Sequence, residues 1–211
     1  MKKWITFLLA FTLVCSLMAC GIGTGGNHQN TEEIPVSETE EPVVIADANE
    51  ILTKVWNQYK IDASEDFHFS IIGGHVESNV LDVPAKFDME LETAQDTLTV
   101  AYALTEETVA MTDDIATMMN LMRAYNFTAS AVHVTDAANT KTVIANIETT
   151  IAQTQWMGGV PESYLVVTIN DDYVVTAYGN EQIIELFRRA IVKTYESAAE
   201  VVAQEEILLE K

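Results

Sequence analysis

Basic residues and cysteines are scarce in this 211-residue chain. There are 11 lysines and arginines against 32 aspartates and glutamates, which gives a net charge of −21. Because nucleic acids are bound mainly through cationic side chains, we expect no nucleic-acid partner. The two cysteines are Cys15 and Cys20, so the sequence beyond residue 20 offers no disulfide, no cysteine-bound metal and no thiol nucleophile.

Catalytic and cofactor-binding patterns are also absent from the sequence. It contains no G-x-S-x-G, P-loop, H-E-x-x-H or dinucleotide-binding motif. His68 and His75 are seven residues apart, which is longer than the usual spacing of paired metal ligands. The sequence therefore predicts a protein that is not an enzyme and that holds no metal or cofactor.

The N-terminus has the parts of a bacterial export signal. Lys2 and Lys3 precede an apolar run of about 16 residues, which is shorter than the roughly 20 that span a membrane. The run ends in Leu17-Met18-Ala19-Cys20, which resembles the lipobox of bacterial lipoproteins. Cys15 fits less well, because Thr12 stands where the lipobox has leucine. The alternatives are an uncleaved anchor and an ordinary signal peptide.

The lipobox resemblance implies a lipoprotein anchored in the cell membrane and facing its extracytoplasmic side. Residues 1–19 would be the signal peptide, and Cys20 would carry the anchoring acyl chains, palmitate among them. Residues 20–46 contain Gly, Pro and many acidic residues, and are predicted to form a flexible lipidated linker. Residues 47–211 are long enough for a single globular domain.

Apolar spacing and turn residues predict the order of helices and strands. Helices are expected from Asp47 to about Lys60, along Met111–Met122, from Asp136 through Ile151, and after Gly179. Strands are expected at 67–72, 98–102, 127–134, 164–169 and 173–178, with a turn at 170–172. Asp113 and Asp114 would lie in the first turn of the Met111–Met122 helix and complement its dipole.

This order predicts an α+β fold. We expect one domain with a mixed or antiparallel sheet, helices on one face, and a split βαβ arrangement. The chain would end in a β-hairpin plus a helix.

Two apolar features are candidates for a binding surface. The first lies in the loop after the helix that ends near Ile151, and its candidate partner-binding residues are Trp156, Met157, Gly158 and Gly159. Trp156 could instead seal the base of the core. The second is the methionine set Met111, Met118, Met119 and Met122, for which a core-facing helix stripe is the simpler interpretation.

Five segments carry a likeness to one group of bacterial lipoproteins. They are Leu17–Cys20 and residues 51–56, 84–88, 155–161 and 172–180. Together they resemble lipoproteins of clostridia and related Gram-positive bacteria, some of which are labelled bacteriocin transport accessory proteins. The resemblance implies a role beside an exporter, and it gives a stated role to Cys20 alone.

The leading hypothesis is therefore a non-enzymatic, membrane-anchored binding or transport-accessory module. Its partner would be a peptide, a protein such as a transporter, or a cell-surface component. The alternative is a cell-wall- or peptide-acting enzyme with dispersed catalytic residues, for which His75, His133 or an acidic residue are candidates. A solute-binding protein is a third class, which the small domain disfavours.

Overall fold

The computed structural model describes residues 43–122, 126–156 and 159–207. They belong to one compact unit, Glu40–Lys211. The helices are α1 (Ala48–Asp62), α2 (Ala94–Tyr102), α3 (Glu106–Val109), α4 (Thr140–Gln153) and α5 (Glu181–Tyr195). The strands are β1 (Ile71–Gly73), β2 (Val80–Leu81), β3 (Ala85–Lys86), β4 (Thr112–Asn120), β5 (Thr128–Val134), β6 (Ser163–Ile169), β7 (Tyr173–Gly179) and β8 (Ala199–Glu206).

Some predicted features lie outside the described residues. They are the signal peptide, Cys20, the linker as far as residue 42, Met157 and Gly158. Residues 43–46, also assigned to the linker, contact the domain. Val43 N donates to Asn170 Oδ1 over 3.2 Å, and Ile45 packs against the core.

Seven of the eight strands follow one another across one antiparallel sheet in the order β2-β1-β4-β5-β7-β6-β8. Strand β3 pairs with β4 beside β1, so the two short strands share one edge of β4. The α+β class is thereby confirmed, and the sheet is antiparallel rather than mixed.

A split βαβ unit lies at the centre of the sheet, as predicted. Helix α4 joins β5 to β6, and β7 lies between these strands. Because β7 is antiparallel to both, β5 and β6 are parallel to each other. Helix α5 joins β7 to β8 across β6 in the same way.

The helices cover both faces of the sheet, so the prediction of helices on one face is wrong. The connection from β5 to β6 through α4 and the connection from β7 to β8 through α5 both shift by two strands towards the β8 edge of the sheet. The two connections start from β5 and β7, which run in opposite directions. Two crossovers of the usual right-handed sense must then lie on opposite faces. Accordingly, α5 packs with α1 in one apolar core, and α4 packs with α2 in another.

Each central strand contributes to both cores. Ala131 and Val175 face α1 and α5, whereas their neighbours Val132 and Val174 face α2 and α4. Side chains alternate between the faces of a strand, so a sheet covered on both faces has strands that are apolar at nearly every position.

The predicted strand at 98–102 is wrong, because these residues belong to helix α2. Its buried residues Ala94, Leu98 and Tyr102 lie one helical turn apart. Val100 is 74% exposed, whereas a strand with Leu98 and Tyr102 facing the core would have buried Val100 on the same face.

The predicted methionine helix is also wrong, because its residues form strand β4. Met118 and Met119 are both buried and face opposite cores. A helical spacing can be picked out of such a doubly buried strand by chance. Asp113 and Asp114 therefore lie in a strand, where Asp114 accepts a hydrogen bond of 2.6 Å from Ala48 N at the start of α1.

Other predicted elements are confirmed. Asp47 caps α1 by accepting from Glu50 N over 2.7 Å, and the Glu50 carboxylate reaches back to Ala46 N over 2.8 Å. The turn between β6 and β7 has positive φ values of 53° at Asn170 and 67° at Asp171, a conformation that these two residue types tolerate well.

The last strand, β8, extends the predicted hairpin-plus-helix ending. It forms an edge of the sheet, and most of its side chains are exposed. This strand is held by main-chain pairing with β6 rather than by buried side chains, so its sequence shows little apolar pattern. Glu185 on α5 also reaches this strand, since it accepts from Gln204 over 3.3 Å and from Arg188 and Arg189 at 2.7–2.8 Å.

We expect Glu185→Gln to destabilise the domain at neutral pH by about 1 kcal/mol, because its carboxylate joins two arginines to β8. These contacts lower the pKa of Glu185 to about 2. Since this lies below the ordinary value of 4.5, the stabilisation is complete above about pH 5 and is lost as the pH falls towards 2. Chemical denaturation of the wild-type protein and of Glu185→Gln at pH 7 and pH 3 measures the difference in unfolding free energy. A difference that does not shrink at pH 3 would contradict the assignment.

Candidate functional site

A pocket of about 630 Å³ opens at one end of the sheet. It lies between the C-terminal parts of α2 and α4, next to the ends of β4, β5 and β7. Its volume is in the usual range for small-ligand sites. The described lining residues are Thr99, Val100, Ala101, Thr105, Met119, Asn120, Asn126, Phe127, Thr128, Thr150, Gln153, Thr154, Gln155, Trp156, Gly159, Pro161 and Tyr178.

Aromatic and sulfur-containing side chains form the apolar wall of the pocket. The ring of Trp156 contacts the ring of Tyr178 edge to face, with centroids 5.0 Å apart. Trp156 is half-buried, whereas Phe127, Met119 and Tyr178 are buried. This wall offers a flat apolar group a rigid surface that is already held by the core.

Most hydroxyl groups near the wall are already engaged. The Tyr178 hydroxyl donates to the Ala101 carbonyl, and burial raises its pKa. Thr99, Thr150 and Thr154 donate to main-chain carbonyls over 2.7–3.2 Å. Few hydroxyl donors are therefore left for a ligand, and the pocket is more apolar than its number of threonines implies.

Asn120 is the exception among the buried polar side chains of the lining. It is 2% exposed, and its Oδ1 accepts a hydrogen bond of 2.8 Å from Met122 N. Its Nδ2 is buried and has no hydrogen-bond partner among the described residues. The accessible area of this atom is below 1 Å², and strand alternation places the Asn120 side chain on the sheet face opposite Met119 and Tyr178. A buried amide donor without a partner costs about 1–3 kcal/mol, so this amide lowers the stability of the fold and does not face the aromatic wall.

The described residues of the lining are electrically neutral. None of the described residues that line the pocket carries an ionisable carboxylate, ammonium, guanidinium or imidazole group. This contrasts with the strongly acidic chain as a whole, whose net charge is −21. The pocket thus favours an uncharged ligand, because an ion would lose its hydration without gaining an opposite charge.

The structure places two of the four candidate partner-binding residues at this pocket. Trp156 and Gly159 line it, and Trp156 also packs against the core formed with α2 and α4. Met157 and Gly158 lie outside the described residues. Of the methionine set, Met119 lines the pocket, and the set as a whole is not a helix face.

Sequence analysis did not select Asn120 or Tyr178. Each stands near the end of a strand in an otherwise apolar run, a position that does not distinguish a pocket residue from a core residue. Their contribution depends on α2 and α4, which meet them only in the folded chain.

His75 is not among the described lining residues and makes a local hydrogen-bond network. It is fully buried, and its Nδ1 accepts from Glu77 N over 3.0 Å. Its Nε2 therefore carries the proton in the neutral ring and lies 3.1 Å from both Thr93 Oγ1 and Thr97 Oγ1. These bonds give His75 a structural role in joining the loop after β1 to α2.

His133 lies towards the other end of β5 from the pocket. Its Nδ1 is 2.6 Å from Asp113 Oδ1, and its Nε2 is 3.6 Å from Asp172 Oδ2. The ring also packs on Tyr173, with centroids 4.8 Å apart. These contacts link β4 to the hairpin turn through His133, and neither His75 nor His133 belongs to the described lining of the pocket.

The described part of the chain contains no cluster of three or more His, Cys, Asp or Glu side chains that could hold a metal ion. Within the same residues, no helix has the length and apolar character required to cross a membrane.

Comparisons with family models, with curated proteins and with solved structures found no match to the chain.

The backbone at Gly159, beside the pocket, has a positive φ that side-chain-bearing residues rarely adopt, so Gly159→Ala should destabilise this loop. Its φ is +128°, and an added Cβ would lie 2.8 Å from Asn126 Nδ2. We expect a loss of about 1–3 kcal/mol in unfolding free energy. Val160→Ala is the control in the same loop, with a smaller expected loss. Equal losses for the two variants in chemical denaturation would contradict the assignment.

Proposed function

We propose that this chain is a lipid-anchored, extracytoplasmic binding module that is not an enzyme. Its α+β domain would bind an uncharged partner group in the neutral pocket. The observation that carries the proposal is the aromatic wall of Trp156 and Tyr178 in a pocket whose described lining residues carry no charge. Such a lining supports binding and offers little for acid–base chemistry.

The anchor is proposed on the N-terminal sequence. Leu17–Cys20 supports attachment to the cell membrane through Cys20, and the acidic segment that follows would act as a tether. A transport-accessory role, with a transporter as the protein partner, is compatible with this position. The sequence resemblance favours that role without naming a ligand.

An enzymatic function is the second candidate, because His133 is 2.6 Å from a carboxylate. A substrate bound there would be far from the aromatic wall, at the opposite end of β5. The binding function is favoured because the described lining of the 630 Å³ pocket contains neither His133 nor its carboxylate partner Asp113.

Metabolic labelling with an alkyne-bearing palmitate in a Gram-positive host tests the anchor. We expect the wild-type chain and Cys15→Ser to incorporate the label and Cys20→Ser to incorporate none. Intact mass should show loss of residues 1–19 in the labelled forms. Labelling of Cys20→Ser at the wild-type level would contradict the proposed anchor.

Photo-crosslinking in intact cells tests the pocket. A photoreactive phenylalanine analogue would replace Val100, an exposed lining residue, or Val44, which is 90% exposed and lies outside the lining. We expect a crosslinked species at position 100 that is absent at position 44 and is lost with Trp156→Ala. Equal products at the two positions would contradict binding at the pocket.

A further inference from the structure

We propose that the His133 side chain is a proton-dependent link that holds the turn between β6 and β7, and through this turn the Val43 main chain, at the end of the sheet. This inference goes beyond the proposed binding function and does not depend on what the pocket binds. Its basis is the position of the imidazole ring between two carboxylates, one from β4 and one from the turn.

A β-bulge in β4 brings Asp113 to the His133 ring. The pairing of β4 with β5 shifts register between Thr112 and Asp114, so Asp113 is an extra residue of β4. A bulge redirects side chains relative to the regular alternation of a strand. With this irregularity, Asp113 Oδ1 lies 2.6 Å from His133 Nδ1, while Asp114 Oδ2 accepts from Ala48 N over 2.6 Å. One ring nitrogen of His133 therefore has a carboxylate at hydrogen-bond distance.

The two ring nitrogens respond differently to protonation. An ionised carboxylate accepts hydrogen bonds and donates none, so Nδ1 carries the proton that is shared with Asp113. In the neutral ring, Nε2 is then an acceptor and faces Asp172 Oδ2 at 3.6 Å. In the protonated ring, Nε2 also carries a proton and can donate to Asp172. The contact between His133 and Asp172 is therefore attractive when the ring is charged and repulsive when it is neutral.

Asp172 has little else to compensate its charge. Its Oδ1 atom is buried and has no hydrogen-bond partner among the described residues. Within the same part of the chain, the His133 ring is the only basic group within 4 Å of this carboxylate. Protonation of His133 thus supplies the positive charge that Asp172 otherwise lacks.

Histidine is the residue type in this group whose charge changes between pH 5 and pH 8. Lys86 is paired with Asp114 over 2.6 Å. Burial, with the neighbouring carboxylates, raises the pKa of Tyr173 above its ordinary value of 10, so its hydroxyl stays neutral in this range. The titratable and charged groups around His133 and Tyr173 are Asp113 and Asp114 on β4, Lys86 on β3, Asp172 in the turn, and Asp47 at the start of α1.

The turn that contains Asp172 also holds Val43. Asn170 Nδ2 donates to the Val43 carbonyl over 2.5 Å, and Asn170 Oδ1 accepts from Val43 N over 3.2 Å. The Asp172 carbonyl accepts from Val134 N over 2.7 Å, next to His133 in β5. A proton on His133 therefore stabilises the turn to which Val43 is bound, and this stabilisation is lost as the pH rises and the ring becomes neutral.

A double-mutant cycle of His133→Gln and Asp172→Asn in the full chain tests the link by chemical denaturation at pH 5 and pH 8. At pH 5 we expect a coupling of about threefold in the unfolding equilibrium constant, as for partly exposed ion pairs. At pH 8 the coupling should disappear or change sign. Because each cycle compares four chains at one pH, the general effect of pH on an acidic protein cancels.

Asp171→Asn is the matched control, because it removes the same charge from the same turn at an exposed carboxylate outside the His133 contacts. It should show no coupling to His133→Gln at either pH. Nuclear magnetic resonance tests the extension to Val43. The Val43 amide resonance should move between pH 5 and pH 8 in the wild type and in Asp171→Asn, and should move much less in Asp172→Asn.

The outcomes are separate from those for the pocket, which crosslinking at position 100 tests. A coupling that is equal at the two pH values, or equal for Asp171 and Asp172, would overturn the proton-dependent link. A Val43 resonance that moves equally in Asp172→Asn and in the wild type would overturn the extension to Val43. If His133→Gln does not fold, the unfolding of Asp172→Asn and Asp171→Asn is compared instead, and an equal pH dependence would overturn the link.

Discussion

The central strands of this sheet are apolar on both faces, and both faces must therefore be covered. An antiparallel sheet commonly leaves one face to solvent, but β5, β6 and β7 place buried side chains on each side. Two crossovers in the same lateral direction meet this requirement, because they send α4 and α5 to opposite faces. Helix α1 completes the cover beside α5 on one face, and α2 does so beside α4 on the other.

The pocket forms where that cover is incomplete. On the face of α2 and α4, both helices end near the same end of the sheet, where Trp156 is only half-buried above the buried ring of Tyr178. Tyr178 and Phe127 belong to the apolar cores and also line the pocket. The core thus fixes the shape of the wall, which favours binding without a large rearrangement. Among the described residues, the charged side chains lie outside the pocket lining, although the protein as a whole is acidic.

Sequence patterns predicted the elements with a single clear signal. The Asp47 cap, the hairpin at Asn170–Asp172 and the helix after Gly179 each depend on local residues, and all three are present. The patterns failed where tertiary contacts decide the structure, as in β4, whose double burial produced a helix-like spacing. Trp156 and Gly159 were predicted as partner-binding residues from an aromatic residue beside a glycine pair, and both line the pocket. Tyr178 was not selected, because a buried aromatic residue near the end of a strand has the same sequence pattern as any other core residue.

The measurement that most directly tests the account is the detection of contacts between a neutral amide and the pocket in solution. Intermolecular nuclear Overhauser effects between isotopically labelled lipidated chain and N-acetyl-phenylalaninamide would locate the probe. The account predicts contacts from the phenyl ring to Trp156 and Tyr178. Contacts confined to the His133 end of the sheet, or to the exposed residues of β2, would contradict it.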